Sequence, residues 1–396
     1  MGIEQVITFI QDKTSRALQN QSPLLMNLLV KSGVEEKSRP KLLESILKIT
    51  RLTDNPKTRE AFVRSDFRVY EQGINKDGRS GVLVVEITKE CNKSCDICYS
   101  QSDGGEVMDT SILYQTIDWA RTNYKWVFYT GGEPTLDARV ISIAEENPDM
   151  VFFMLTNGSL LNEAYTDKLS GLGNLIPCLS INGTSAQTHD YLKSKGSFDE
   201  TIRAREILHQ KGVPWAFTSL VTSTTAQEIF SKEFIKENRN KGAIMVVYLE
   251  FIPCGPNPNP DLIPSSEALY QNELVKNLIL DEDELYIQHV IPGKCRGFLT
   301  IDVLGNIKNC TAVHYAKYNI KEGDMSSMVA ETRRDWDSLE YDGTCPIYSG
   351  SIEFRVQIEQ KGWNRTVPFT DKYLIDEGLS ETMRDIHRRY QKLKRL

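Results

Sequence analysis

Six short β-rich runs alternate with helical segments across the middle of the chain, and this alternation limits the possible folds more than any other feature. The predicted strands are Val82–Thr88, Trp126–Thr130, Val151–Thr156, Ile176–Asn182, Trp215–Thr222 and Met245–Pro253. The intervening helices are predicted at about 109–123, 137–147, 162–171, 198–211 and 226–239. Strands that alternate with helices form βα units, whose strands pair in parallel. Six units are too few for a complete eight-unit barrel, so we expect an α/β fold with a partial (β/α)6 barrel.

The regions that flank this barrel have different patterns. Residues 1–78 have the apolar spacing of amphipathic helices and no strand pattern, and Asn55-Pro56 is a typical helix start. Such helices mostly face a core, so we expect a helical cap packed on the barrel, with a substrate- or partner-binding module as the alternative. Beyond the barrel, Phe298–Leu304 and Ile307–Cys310 flank Gly305-Asn306, a two-residue hairpin signal. The domains are then predicted at 1–78 (helical), 79–255 (barrel), 256–350 (linker and small C-terminal domain) and 351–396 (extension with a basic helix).

Composition and charge narrow the class of protein. The chain of 396 residues carries 47 Lys and Arg against 54 Asp and Glu, a net charge of −7. Phosphate binding needs a basic surface, so nucleic acid is not expected as a partner. No apolar run approaches the roughly 18 residues of a membrane span, and no secretory signal pattern is present, so we expect a cytoplasmic protein without a transmembrane segment. In a reducing compartment, clusters among the eight cysteines predict metal ligands or catalytic thiols rather than disulfides.

One loop concentrates three of these thiols directly after the first predicted strand. It reads Cys91-Asn-Lys-Ser-Cys95-Asp-Ile-Cys98-Tyr99. Thiolates are soft ligands that favour zinc or iron–sulfur clusters. A structural zinc site would need a fourth Cys or His nearby, and the next Cys is Cys178. Three ligands on a four-iron cluster leave one iron open, where a substrate or cofactor can bind.

Further motifs follow the next three predicted strands. They are Thr130-Gly131-Gly132-Glu133-Pro134, Leu155-Thr156-Asn157-Gly158 and Leu179-Ser180-Ile181-Asn182-Gly183, the last followed by Thr188-His189-Asp190 and Gly196-Ser197-Phe198-Asp199. All lie at the carboxyl ends of strands, where α/β sheets bind ligands. Together with the cysteine loop, this set resembles the radical S-adenosylmethionine (SAM) superfamily, and in particular members with a C-terminal auxiliary-cluster domain.

The resemblance implies a cofactor site and a reaction. Cys91, Cys95 and Cys98 would be the catalytic ligands of a [4Fe–4S] cluster whose open iron binds SAM. An electron from flavodoxin or ferredoxin would cleave SAM to methionine and a 5′-deoxyadenosyl radical, which abstracts hydrogen from a substrate. The residues expected to contact SAM are Tyr99, Gly131, Gly132, Glu133, Pro134, Asn157, Ser180 and Asn182. Glycine would let the backbone approach the ligand closely.

Asn182 departs from the family pattern, because many relatives have Asp at this position. Relatives that oxidise peptides, such as the sulfatase-maturing enzymes, are thought to use that carboxylate to remove a proton. An amide cannot act as a general base, so Asn182 makes this particular chemistry less expected here. Cys178 lies within a predicted strand, and by alternation we expect it to face the helices as a small buried apolar residue.

A second set of cysteines follows the barrel. Cys295 and Cys310, with Gly305 between them, resemble the start of the SPASM or twitch domain, which holds auxiliary [4Fe–4S] clusters. Only Cys345 follows, so the resemblance implies the shorter twitch form with one auxiliary cluster. The fourth ligand is open: either Cys254 supplies it from the linker, or the fourth iron binds substrate directly.

The function then has three alternatives. The first is a radical enzyme that modifies a peptide or protein side chain, as relatives with twitch and SPASM domains commonly do. The second is a radical enzyme for a small molecule such as a sugar, nucleotide, lipid or cofactor precursor, which the helical N-terminal region and Asn182 fit equally well. The third is a non-catalytic iron–sulfur regulator, against which the intact Gly131-Gly132-Glu133-Pro134 segment argues. A relay of electrons through an auxiliary cluster would imply net oxidation or bond formation.

Overall fold

A computed structural model describes residues 2–11, 13, 15–74, 81–100, 105–254, 259–271, 285–290, 298–339, 352–366 and 377–393. The helices are α1 Gly2–Gln11, α2 Ser15–Asn20, α3 Ser22–Lys31, α4 Arg39–Leu52, α5 Pro56–Gln72, α6 Thr110–Asn123, α7 Arg139–Glu146, α8 Glu163–Leu172, α9 Ala186–Leu192, α10 Ser197–Gln210, α11 Ala226–Ile229, α12 Lys232–Asn240, α13 266–271, α14 Met325–Asp337, α15 Ile352–Gln360 and α16 Glu377–Leu393. The strands are β1 Val82–Thr88, β2 Trp126–Gly131, β3 Val151–Thr156, β4 Leu175–Ser180, β5 Trp215–Val221, β6 Ala243–Glu250, β7 Tyr286–Val290, β8 Leu299–Ile301, β9 Ile307–Lys308, β10 Tyr315–Ala316 and β11 Asn364–Arg365.

The main sheet confirms the α/β fold with parallel strands. Its order is β7-β6-β5-β4-β3-β2-β1-β8-β9, so the six predicted strands lie side by side in chain order. All six pair in parallel, and each observed strand begins and ends within about three residues of its prediction. The predicted helix at 226–239 is broken into α11 and α12, because Ser231 caps a new helix start by accepting a hydrogen bond from the backbone N–H of Phe234. Helix α9 was not predicted.

Three strands extend this sheet beyond the predicted six. Strand β7 pairs in parallel with β6 at one edge. At the other edge, β8 pairs in parallel with β1, and β9 pairs antiparallel with β8. The predicted hairpin around Gly305-Asn306 is therefore present, but it continues the sheet of the barrel.

The two faces of the sheet pack against different helices. Leu83, Val85 and Ile87 of β1 belong to the large outer core shared with α6, α7 and α10. The opposite face belongs to an inner core that includes residues of α4 and α5. Phe62 of α5 lies edge-on to Trp126 and Phe153, near the start of β2 and β3. Helix α5 thus covers the amino-terminal end of the sheet and leaves the carboxyl end for the motif loops.

Cys178 corrects one expectation about the sheet. It belongs to the inner core, together with Ile176 and Phe153, and does not face the outer helices. Because side chains alternate along a strand, Ser180 lies on this same inner face. The alternation of side chains along β4 decides this orientation, because Leu175 and Leu179 occupy the outward positions and pack in the outer core.

The N-terminal helices are held by local signals and by long-range contacts. Asn55 caps α5 by accepting a hydrogen bond from the backbone N–H of Thr58, as the Asn55-Pro56 pair predicts. Leu25, Leu29, Ile46 and Val63 meet in a core of their own. In the described part of the chain, no helix is both long and apolar enough to cross a membrane.

Candidate active site

The cysteine loop follows β1 directly, and its three thiols are partly buried. Burial, opposed by a backbone hydrogen bond from Lys93 and aided by the charges of Glu133, Cys95 and Cys98, raises the pKa of the Cys91 thiol to about 11. Burial also raises the pKa of Cys95, against the lowering effect of the Lys193 ammonium. Cys91 therefore lies near the other two thiols, and Cys95 lies near Cys98. Three soft donors on one short loop fit an iron–sulfur cluster by their chemistry.

The structure does not arrange these thiols as a finished metal site. Among the residues it describes, no three Cys, His, Asp or Glu side chains have the geometry of a metal centre. Metal ligands must lose their protons to bind, so loading a cluster would release the protons that burial keeps on Cys91 and Cys95.

The Gly131-Gly132-Glu133 segment is held against the start of the cysteine loop by its backbone. The N–H of Gly132 donates to the carbonyl of Thr88 at 2.6 Å, and the N–H of Glu133 donates to the carbonyl of Glu90 at 2.8 Å. A Cβ atom on Gly131 would lie 2.2 Å from the Thr88 carbonyl oxygen, and one on Gly132 would lie 2.1 Å from that of Glu90. The glycines therefore allow two protein backbones to meet. The expectation that they also let the backbone approach a ligand stays a prediction.

The Glu133 carboxylate is buried and already accepts four hydrogen bonds. Its Oε1 accepts from the Thr135 N–H at 3.1 Å, the Thr135 hydroxyl at 2.6 Å and the Thr156 hydroxyl at 2.7 Å. Its Oε2 accepts from the Asn157 N–H at 2.8 Å. A carboxylate has about four lone-pair sites, two on each oxygen, so Oε2 is the atom with capacity for a ligand. Burial raises the pKa of Glu133, and the four donors oppose that rise.

Asn157 ties the end of β3 to the cysteine loop through two residues that sequence reasoning missed. Its side-chain amide donates to Asn92 Oδ1 at 2.9 Å, and the Asn92 amide donates to the Ser159 hydroxyl at 2.8 Å. Ser159 in turn donates to Asn157 Oδ1 at 2.6 Å. These three side chains close a ring beside Cys91. The available signal was the position of Asn92, directly after the first cysteine.

The remaining predicted contacts with SAM lie on or beside the inner face. The Tyr99 hydroxyl is 3.0 Å from the Thr130 hydroxyl at the end of β2. Ser180 is half-buried at the end of β4, and its hydroxyl accepts a long 3.5 Å hydrogen bond from Thr218. Pro134 is buried and starts a short 3₁₀ turn. The strand ends thus bring these predicted residues to one edge of the sheet.

Asn182 and the Thr188-His189-Asp190 run hold the loop after β4. Asn182 Oδ1 accepts from the Leu220 N–H at 2.9 Å, and the Asn182 N–H donates to His189 Nδ1 at 3.2 Å. Burial and, to a smaller extent, the Lys193 ammonium lower the pKa of His189 to about 4, so this acceptor is neutral at pH 7. Asp190 accepts from the N–H groups of Gly196 at 2.6 Å and Phe198 at 2.8 Å, at the start of α10. This motif therefore shapes the backbone after β4.

Two of the four cysteines predicted for the auxiliary site lie among the described residues, and they are close to each other. Burial, together with the charges of Cys310 and Cys98, raises the pKa of the Cys254 thiol to about 12. Cys254 thus lies near both the first cysteine loop and Cys310. Cys295 and Cys345 lie outside the described residues. Two soft donors near each other fit the chemistry of a second cluster site.

A buried ion pair adjoins this second site and was not predicted. Lys308 Nζ lies 2.9 Å from Glu86 Oε1, with the two side chains 2% and 6% exposed. Glu86 is on β1, at the position that pairs with Thr130 of β2. No local pattern could have revealed this pair, because its members are 222 residues apart in the chain.

The chain thus combines an α/β sheet, a three-thiol loop after the first strand and a Gly-Gly-Glu segment after the second. Residues 85–230 match the sequence model of the family described as the Radical SAM superfamily. The match covers 146 of the 396 residues, so this part of the chain is similar to the Radical SAM superfamily, whose members use a [4Fe–4S] cluster and SAM.

Comparison with individual proteins supports the same family. An AdoMet-dependent heme synthase of Methanosarcina barkeri is 26% identical over 194 residues, which cover 47% of this chain and 55% of that protein. The mycofactocin maturase MftC of Mycolicibacterium smegmatis is 29% identical over 209 residues, which cover 51% of this chain and 53% of that protein. The chain thus spans about half the length of these curated relatives.

Solved structures show the same fold at low sequence identity. SuiB of Streptococcus suis, bound to its precursor peptide SuiA, has a TM-score of 0.58 at 14% identity and covers 73% of both chains. Native anSMEcpe, with bound AdoMet and a Cp18Cys peptide, has a TM-score of 0.52 at 15% identity, covering 79% of this chain and 99% of that chain.

Proposed function

We propose that this protein is a radical SAM enzyme that reductively cleaves SAM and abstracts a hydrogen atom from a substrate. The observation that carries the proposal is the backbone contact between Gly132-Glu133 and Thr88–Glu90. It joins the predicted SAM-binding segment to the start of the cysteine loop, so the two parts of the site move as one unit. Preorganised contacts of this kind position reacting groups.

The residues have separate tasks in this proposal. Cys91, Cys95 and Cys98 would hold the cluster, which supplies the electron that cleaves SAM. Glu133 would accept a hydrogen bond from the methionine amino group at Oε2, its oxygen with spare capacity. The remaining SAM contacts are proposed for Tyr99, Gly131, Gly132, Pro134, Asn157, Ser180 and Asn182. Flavodoxin or ferredoxin is the proposed electron donor.

We assign an auxiliary [4Fe–4S] cluster to Cys254, Cys295, Cys310 and Cys345. The proximity of Cys254 to Cys310 supports Cys254 as the fourth ligand. In this assignment residues 256–350 form the linker and auxiliary-cluster domain, and residues 351–396 form a C-terminal extension. A cluster there would accept an electron from the product radical, so the reaction would be a net oxidation or a bond formation.

A peptide or protein side chain is the favoured substrate. Similarity to a mycofactocin maturase and to the fold of SuiB with its precursor peptide supports it. Similarity to an AdoMet-dependent heme synthase favours an iron porphyrin as the second candidate. A binding measurement distinguishes the two candidate substrates. The Soret absorbance of iron-coproporphyrin III should shift on addition of the protein only if the second candidate is correct.

The deciding experiment measures iron, sulfide and 5′-deoxyadenosine after strictly anaerobic reconstitution. We expect about eight irons per chain in the wild type and about four in Cys91→Ala/Cys95→Ala/Cys98→Ala. With SAM and dithionite, the wild type should form 5′-deoxyadenosine and the triple variant should form none. A wild type that binds a cluster and never cleaves SAM would support the non-catalytic regulator and overturn the proposal.

A further inference from the structure

Helix α10 begins without a side-chain cap of its own. Its N-cap residue is Gly196, which has a φ of 83° and carries no side chain that could accept from the N–H groups at the start of the helix. Asp190 supplies the missing acceptor from α9. Besides the N–H groups of Gly196 and Phe198, its carboxylate accepts from the Ser197 hydroxyl at 3.2 Å. The two sequence motifs that contain these residues therefore act together, and they fix the position at which α10 starts.

The first two turns of α10 hold the loop that follows β3. The Thr201 hydroxyl donates to the carbonyl of Asn157 at 2.9 Å. The Arg203 guanidinium donates to the carbonyl of Ser159 at 3.1 Å. Between these two contacts the backbones are close, because a Cβ atom on Gly158 would lie 3.4 Å from the Cα atom of Thr201. The loop after β3 therefore packs directly against the start of α10.

The same turns of α10 also contact the cysteine loop itself. Glu200 forms an ion pair with Lys93, which lies between the first and second cysteines and whose side chain is 15% exposed. Lys93 directly follows Asn92, the member of the cysteine loop that joins the hydrogen-bonded ring with Asn157 and Ser159. One helix start thus holds the cysteine loop in two ways, through Glu200 directly and through the loop after β3.

We propose that Asp190 is a positioning residue for the cysteine loop and that it acts by fixing the start of α10. Without this acceptor, N–H groups at the start of the helix lose their hydrogen bonds and the first turn frays. Glu200, Thr201 and Arg203 then lose their fixed positions together, and the cysteine loop loses the partners that hold its thiols in place. The consequence for SAM binding rests on the proposed function, whereas the hold on the thiols does not.

The first test measures how fast each cysteine of the full-length, cluster-free chain reacts with iodoacetamide, with mass spectrometry to separate the sites. Asp190→Ala should increase the alkylation rates of Cys91 and Cys95 by about fivefold, because the loss of one helix cap changes a local folding equilibrium by roughly that factor. Asp324→Ala is the matched control. Asp324 caps a different helix, α14, by accepting from the Ser327 N–H at 2.8 Å, and its removal should leave both alkylation rates unchanged.

An internal reporter and a second variant keep this test decisive if Asp190→Ala folds poorly. Cys178 is fully buried in the inner core, so it reacts only when the whole chain unfolds. Unchanged rates at Cys91 and Cys95 in Asp190→Ala, with Cys178 still protected, would overturn the inference. If Cys178 becomes reactive, Glu200→Gln decides, because it removes the ion pair with the cysteine loop and leaves the helix start intact. It should raise the same two rates, and unchanged rates in that variant would overturn the hold of α10 on the loop.

A SAM titration of the reconstituted, reduced protein distinguishes this inference from the proposed function. SAM bound at the open iron should change the electron paramagnetic resonance spectrum of the cluster. Asp190→Ala should need about fivefold more SAM than the wild type or Asp324→Ala for half of this change. Equal SAM requirements in Asp190→Ala and the wild type would overturn its positioning role at the cluster site. If the wild type shows no change with SAM, the proposed function fails, and the alkylation rates still decide the inference.

Discussion

Gly132 shows how a single residue decides whether the site can assemble. Its missing side chain leaves room for the Glu90 carbonyl oxygen, which a Cβ atom would meet at 2.1 Å. The atom in the way is backbone, so neither partner can give way by changing a rotamer. The loop that carries the first cysteine begins at this contact.

Gly132→Ala should therefore disable the site and leave the fold intact. Moving the segment by the order of 1 Å should lower the rate of 5′-deoxyadenosine formation by about a hundredfold. Gly171→Ala is the matched control, because nothing lies within 4 Å of the added atom. Equal rates in the two variants would contradict the assigned role of Gly132.

His189 should make the stability of the protein depend on pH. Its pKa in the folded chain is about 4, lowered by burial and Lys193 from an ordinary value near 6.5. Between these two values the unfolded chain binds the proton and the folded chain does not. Stability is therefore full above about pH 6.5 and falls as pH decreases toward 4, by about 1.4 kcal/mol for each pH unit.

Thermal midpoints at pH 7.5 and 5.5 test this prediction. The wild type should lose more stability between the two values than His189→Gln, which cannot take up a proton. The loss of thermal midpoint relative to pH 7.5 should therefore differ between the two chains at pH 5.5, and this difference should be larger at pH 5.0. Parallel pH dependences in both chains would assign the effect to other groups.

Among the elements, α5 joins the N-terminal helices to the barrel. The buried guanidinium of Arg68 donates to the backbone carbonyls of Asp149 at 3.1 Å, Tyr124 at 3.0 Å and Lys125 at 3.1 Å, and also to that of Arg121. It thereby satisfies carbonyl groups at the end of α6 and before β2 and β3. The helix thus closes the base of the sheet, opposite the site.

Arg68→Met should destabilise the packing of α5 against the base of the sheet. Several buried carbonyls would lose their donor, at a cost of about 1–3 kcal/mol for each group left unsatisfied. Arg64→Met, which breaks partly exposed ion pairs with Glu4 and Glu60, should cost at most about 1 kcal/mol. Denaturation midpoints measure both; a smaller loss in Arg68→Met than in Arg64→Met would contradict the structure.

At the scale of the whole molecule, the cysteines should divide into independent groups. Cys310→Ser and Cys254→Ser should each lower the iron content from about eight to about four per chain and leave the three-thiol cluster in place. Cys178→Ser is the control, because that thiol is buried among apolar side chains of the inner core and should lose no iron. Full iron content in Cys254→Ser would instead assign the fourth position to a substrate or to another ligand.

The sequence by itself determined the parts of this protein that depend on local pattern. The alternation of short apolar runs with helical patterns predicted the six central strands. Such runs mark strands because their side chains are buried on one or both faces of a sheet. The spacing of Cys91, Cys95 and Cys98 placed three thiols on one loop, and Asn55-Pro56 predicted a helix start. Parallel pairing then placed the ends of β1 to β4 at one edge, so the motif residues could be grouped without coordinates.

Tertiary structure alone decided which distant segments meet. It placed β7 and β8 at the two edges of the sheet, turned Cys178 to the inner face and showed that Gly131 and Gly132 accommodate backbone. It also brought Lys308 to Glu86 across 222 residues of chain. Local patterns carry no information about such partners, because contacts between distant segments depend on how all the elements pack together.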